Sequence, residues 1–214
     1  MGAVGAHRCR RAGGGGPRRR RLGRCARRSA AAGLAGGGAG AAARGRGAAV
    51  IRFDRIPDLV LGPLAGRPEA DWYKAPPGKW CAAQIVQHLA IGIDGSGRVF
   101  ESRRAHPPMR RRSRTLRQLL GDLVMLRLGW MPSGFRAPPV TRPVERPEPA
   151  VVERQLRDGV ARFLALERQL LPARASDLFV KHPRLGDLTL PEWLRFHALH
   201  SAHHAGQIRA RLAS

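Results

Sequence analysis

The capping box Thr189-Leu-Pro-Glu192 and the apolar periodicity that follows it constrain this chain more than any other feature. In such a box the Thr hydroxyl accepts from the third helical amide while the Glu carboxylate reaches back to the cap amide. Pro191 suits the first turn, where amides have no intrahelical partner to lose. Leu190, Trp193, Leu194, His197, His200, His204, Ile208 and Leu212 then recur at spacings of three and four, which predicts an amphipathic helix with histidines on its apolar side. His200 and His204 stand one turn apart, so their rings project from one face about 5–6 Å apart at Cβ. Two neutral imidazoles held that way on a rigid element lose little entropy when they capture a divalent ion. A third ligand has to come from elsewhere. His203 points about 100° away and is expected to face solvent. His197 is open to three roles: ligand, hydrogen-bond partner of a ligand, or plain buried side chain. Spacing alone leaves a metal site and a set of ordinary core histidines both standing.

A second helical pattern follows Pro76-Pro77-Gly78, in Lys79-Trp80-Cys81-Ala82-Ala83-Gln84-Ile85-Val86-Gln87-His88-Leu89-Ala90, with Ile85, His88 and Leu89 on a shared face. The two blocks PPGKWCAAQIVQHLA and HPRLGDLTLPEWLRFHALHSAHHAGQI together resemble the DinB-like (YfiT-type) superfamily of metal-binding four-helix bundles, from Val50 onward. The resemblance implies an all-α fold, a four-helix bundle with a helix inserted between its second and third members. It also implies one divalent metal held by His88, His200 and His204, with coordination positions left for water or substrate. Zinc is the expected ion, with nickel, manganese or iron as alternatives. Departures from the family pattern are Ala205 where a basic residue is common, Cys81 where Ser or Thr is the usual cap, and a Pro- and Arg-rich insertion.

Activities implied by the resemblance are metal-dependent hydrolysis and transfer reactions that activate a small thiol on the metal. Three neutral imidazoles leave an ion its full +2 charge, enough to bring bound water toward pKa ~7 or to hold a thiolate. A hydrolase acting on a small molecule is therefore the first expectation, a thiol-dependent transferase the second. A non-catalytic metal-binding bundle and a basic nucleic-acid-binding module represent other classes. No dedicated general base is evident beside the ligands, and no catalytic residue is assigned. Gln84, Gln207 and Asp94 are candidates to orient ligands or water.

The remaining periodicity sketches the scaffold. Residues 51–65 predict an irregular first helix broken by Pro57 and Pro63. Residues 81–104 predict a second, weakened around Gly92, Gly95 and Gly97. Between Leu116 and Met131 an amphipathic helix is expected to pack Leu119, Leu120, Leu123, Val124 and Leu126 on the bundle. Proline density from 131 to 149 predicts an extended crossover. Residues 150–171 predict a third helix with Val152, Leu156, Val160, Phe163, Leu164 and Leu170 buried. His182, before Pro183 in a connection, is expected at the surface, and Cys81 as a helix cap without chemistry.

Composition separates the two ends of the chain. Residues 1–48 hold twelve arginines, no acidic residue and fourteen of the 26 glycines, so they supply half of the +24 net charge and almost no side chain able to bury apolar area. A disordered extension is expected there, ahead of a helical domain over 49–214. Three explanations compete for it: a phosphate-binding arm, a weak twin-arginine export signal, or upstream sequence translated from an early start. The third is favoured, because the recognisable domain begins just after and stacking aromatics are absent. No nucleic-acid partner is therefore expected, while homodimerisation is left open. No run reaches ~18 uninterrupted apolar residues, so no membrane partner is expected either. Cys9 and Cys25 fall in the extension, which leaves Cys81 without a disulfide partner and points to a reducing, cytoplasmic setting.

Overall fold

The computed structural model describes residues 51–134, 136–170 and 173–213. The extension expected over residues 1–48 lies outside the described residues. Helices dominate, and the expected all-α bundle is what the chain forms. Its members are α1 (Ile56–Leu61), flanked by 3-10 turns Phe53–Arg55 and Gly62–Leu64; α2 (Glu69–Trp72); α3 (Ala82–Arg103); α4 (Leu116–Gly121); α5 (Pro149–Leu170); and α6 (Leu190–Leu212). Strands β1 (Val180–His182) and β2 (Gly186–Leu188) form an antiparallel hairpin between α5 and α6, with Val180 opposite Leu188. Pro57 and Pro63 sit in first turns of the short helices around α1, which is why that first element is segmented.

Both long site-bearing helices start as the sequence dictates. Glu192 Oε2 accepts from the Thr189 amide at 2.7 Å and Thr189 Oγ1 accepts from the Glu192 amide at 3.3 Å. At the head of α3, the Cys81 amide donates to Gln84 Oε1 at 3.1 Å, and Cys81 itself is buried. The glycines of α3 do not weaken it as expected, for the helix runs unbroken from Ala82 to Arg103. Packing explains part of this. A Cβ at Gly97 would lie 3.2 Å from Phe163 Cδ2, so the missing side chain lets α3 and α5 approach closely along the most extensive helix pair of the bundle. On α5, Val152, Leu156, Val160, Phe163, Leu166 and Leu170 are buried, Leu166 joining the expected stripe and Leu164 lying at its edge.

The insertion departs from its expected packing. α4 passes at Gly121 into a π-helical turn, Asp122–Arg127. Leu119, Leu120 and Leu123 are 48%, 61% and 46% exposed, while Met125 and Leu126 are buried. A π turn closes i→i+5 bonds and so adds a residue to the repeat, which rotates everything beyond it off the α-helical stripe. One 3.6-residue stripe therefore does not run across Asp122: Met125 and Leu126 face the bundle, while Leu119 and Leu120 before the turn and Leu123 within it do not. Asp122 is buried and takes Arg114 at 3.1 Å and Arg127 at 3.3 Å.

The arginine run before α4 is an anchor. Arg112 is paired with Asp187 of β2 and Arg111 with Glu192 of α6, and these guanidinium groups hold both carboxyls below their ordinary pKa against the opposing effect of burial. Gln84 Nε2 donates to Glu145 O at 2.9 Å and Gln87 Oε1 accepts from the Val144 amide at 2.8 Å, fastening the crossover onto α3. No helix among the described residues is long and apolar enough to cross a membrane.

Candidate metal centre

α3 carries His88 toward α6, where His200 and His204 follow one another by one turn. The His88 ring centroid lies 5.3 Å from that of His200 and 5.2 Å from that of His204, and the latter two are 4.6 Å apart. One nitrogen from each ring falls within 4.8 Å of the others. The three residues named from sequence thus converge, although His88 is remote from the other two in the chain.

Hydrogen bonds fix which nitrogens point inward. His88 Nδ1–H donates to Thr141 O at 2.8 Å, and His204 Nδ1–H donates to Gln207 Oε1 at 2.9 Å. Each ring therefore keeps an Nε2 lone pair for the cluster, the arrangement by which an outer partner sets the tautomer of a ligating imidazole. His200 Nε2 and His204 Nε2 are 3.1 Å apart. Two ligands at ~2.0–2.1 Å around a tetrahedral ion would be separated by about 3.3 Å, so the pair already spans roughly one edge of such a site. Burial pushes all three histidines toward the neutral form: His88 is lowered, His204 is pushed down to about 3 by desolvation and then by His88, and His200 lies well below its ordinary value. Neutral imidazole is the form that binds metal.

The neighbouring histidines have other duties. His197 turns away from the cluster, its Nε2–H donating to Ser96 Oγ at 2.7 Å while the hydroxyl donates back to the α3 backbone at Gly92 or Ile93. It is a buried histidine wedged between Phe163 and Trp193, which settles the role left open by sequence. His203 is only half buried, yet it is not a detached surface residue: its Nε2 accepts from Gln207 Nε2 at 3.0 Å, so Gln207 bridges it to His204. His182, expected at the surface, is buried on β1. Its Nδ1 accepts the Arg184 and Leu185 amides, both at 3.2 Å, and its ring packs 4.5 Å from Phe196. Desolvation, followed by the Arg184 charge, pushes its pKa down to about 4. The sequence signal for this was Gly186, whose φ of +77° closes the hairpin that carries His182 inward.

Of the three residues expected to orient ligands, only Gln207 is bonded to a histidine of the cluster. Gln84 is occupied by the α3 cap and the crossover, and Asp94 pairs with Arg98 at 2.7 Å and Arg162 at 3.3 Å on the α5 side. Neither serves the cluster.

Above the three histidines lies a cavity of about 530 Å³, within the size range of small-molecule sites. Trp80, Leu89, Val99, Met125 and Phe196 supply apolar wall, and crossover residues within 131–134 and 136–141 also line the cavity. Phe196 also stacks on His200, with centroids 5.2 Å apart. A second depression, of about 650 Å³, lies beside α1, α2 and the start of α5 and gathers no comparable set of ligating groups.

A family model described as the DinB superfamily matches residues 52–208. The chain belongs to the DinB superfamily. The matched segment contains all three converging histidines, the insertion and the hairpin. No curated protein and no solved structure matches the chain. Among the residues of this DinB chain, the histidine cluster is therefore the feature from which activity has to be argued.

Proposed function

We propose that His88, His200 and His204 hold one divalent metal ion and that the protein is a metal-dependent enzyme acting on a small molecule, with hydrolysis as the leading reaction. The observation that supports this most is the outward hydrogen bonding of His88 and His204, which leaves three neutral imidazoles facing one point at the floor of a cavity. Without a cation, a neutral His200 with its hydrogen on Nε2 meets the His204 Nε2 lone pair at 3.1 Å; a metal ion would take that place once the His200 hydrogen moves to Nδ1. A three-imidazole set suits zinc first, and nickel or iron are also compatible with such ligands. Bound there, the ion would supply a Lewis acid able to acidify water toward pKa ~7 and to polarise a carbonyl. Thr141 and Gln207 hold two of the rings at their angles, Trp80 and Phe196 cover them with apolar surface, and the crossover limits access of bulk water.

A thiol-dependent transferase is the second reading, and one observation favours it. No carboxylate lines the cavity among the described residues, and a thiol that ionises by coordination alone needs no separate base. Metal analysis of protein purified without a histidine tag tests the site itself. Wild type should carry close to one equivalent, and His204→Ala should lose most of it, in line with the strong cost of deleting one ligand of three. Full metal content in His204→Ala would overturn the site. A screen of esters, amides and thiol acceptors with the loaded protein then separates the two reactions.

A further inference from the structure

The cavity above the histidines has a composition that selects its occupant. Its lining includes Lys181, Arg184 and Arg136 and, among the described residues, no acidic side chain. Some described basic residues pair with carboxylates, among them Arg52, Arg55, Arg67, Arg98, Arg112 and Arg157. Lys181 and Arg136 make no ion pair among the described residues, and both belong to the cavity lining. Lys181 is the outward-facing residue of β1, opposite Asp187 in the strand register, yet Asp187 is turned to Arg112. Both side chains are exposed, so they stand at the rim of the cavity, where two unpaired cations favour an anion over a cation at the entrance.

Another part of the lining is apolar and open. Gly92 and Gly95 follow His88 on α3 at spacings of four and three, and all three line the cavity. A Cβ at either glycine would meet nothing within 4 Å. Glycine in a helix interior is less favourable than alanine, so two of them in the cavity lining, with no close packing to require them, keep space open at the expense of helix stability. Gly97, two residues on, has the packing reason that these lack.

We propose that this cavity binds an amphipathic anion, a small molecule whose apolar body lies along the Gly92–Gly95 face against Leu89, Val99 and Met125 and whose anionic group is held by Lys181 and Arg136. This deepens the enzymatic reading by naming the class of substrate, and it rests on that reading only for the reaction, since the binding itself involves no metal. An unbranched apolar molecule bearing a carboxylate or sulfonate fits the description. A cation of equal size does not, for it would meet two uncompensated positive charges.

The test uses the full chain after treatment with a chelator and two dyes of nearly the same shape, anilinonaphthalene sulfonate and the uncharged N-phenylnaphthylamine. The sulfonate should bind about tenfold more tightly, the equivalent of about 1.4 kcal/mol shared between the two cations at the rim. Lys181→Glu combined with Arg136→Glu should abolish that preference while leaving the uncharged dye bound. Gly95→Leu, whose Cβ meets no neighbour within 4 Å, should remove both dyes without lowering the melting temperature. Equal affinity for the two dyes in wild type overturns the proposal, and so does a preference that survives the charge reversal. Sulfonate binding undiminished by Gly95→Leu also overturns it, because the dye would then lie on another surface. Metal content is measured separately on His204→Ala, so the metal site and the anion site succeed or fail independently.

Discussion

Replacing Gly92 and Gly95 by alanine should make the protein more stable and less able to fill its cavity. Both residues lie within α3, and a methyl group at either meets no heavy atom within 4 Å. Each exchange gains about 0.8–1 kcal/mol of helix propensity, chiefly because alanine has less backbone freedom to lose on folding. With nothing to collide with, the two gains should add to about 1.5–2 kcal/mol. For a domain of this size a kilocalorie moves the melting temperature by about 2–4 °C, so the double variant should melt roughly 3–8 °C higher. Gly97→Ala supplies the contrast on the same helix. It has the same propensity gain, but its methyl would press within 3.2 Å of the Phe163 ring, and overpacking of about 1–3 kcal/mol cancels or exceeds the benefit. Calorimetric or circular-dichroism melts of the metal-free proteins read the difference directly. A double variant that melts at or below wild type, or a Gly97→Ala protein that gains as much as the other two, would refute the reasoning that Gly92 and Gly95 are retained for open space.

Three further outcomes follow from burial. His182 and His197 are neutral in the folded protein, with pKa values pushed from 6.5 down to about 4 and about 3, so the unfolded chain takes up protons that the native one refuses; stability of the metal-free protein should be complete above pH ~6.5 and should fall with acidification toward pH ~4, and equal urea midpoints at pH 7.5 and 5 would contradict this. Ser201 Oγ on α6 is buried without a hydrogen-bond partner, so Ser201→Ala should raise stability by about 1 kcal/mol, and a lower melting temperature would show that the hydroxyl is satisfied after all. Leu126→Ala should cost about 2–4 kcal/mol and Leu120→Ala less than about 0.5 kcal/mol, a contrast that chemical denaturation would fail to reproduce if the π-helical turn were instead regular α-helix.

The sequence revealed most where one local rule acted alone. Thr189 and Glu192 announce their own helix, and the four-residue step from His200 to His204 needs no tertiary knowledge to be read as one face. His88 was placed only through the resemblance to a family, since nothing in its own helix says that it meets α6. The features missed are those decided between distant elements. Asp122 draws in Arg114 and Arg127, the helix widens there, and the apolar stripe does not continue across it. The arginines at 111 and 112 read as a basic cluster until Glu192 and Asp187 are placed against them. His182 looks solvated in a Pro-containing connection because its burial comes from a two-strand hairpin too short to show an alternating pattern.

Gln207 shows how the same limit shapes the site. A glutamine three residues beyond His204 is a plausible orienting group on spacing alone, and Gln84 and Asp94 looked equally suitable. Only the first has its carbonyl turned to a histidine of the cluster, because Gln84 is drawn off by the Cys81 amide and the Glu145 carbonyl and Asp94 by two arginines. Gln207 also donates to His203, whose ring in turn accepts, so a proton added to His203 would remove that acceptor and disturb the amide that holds His204. The orientation of the candidate ligand is thereby linked to a half-buried residue at the rim, a connection that depends on which partners compete for each amide and that residue spacing cannot express.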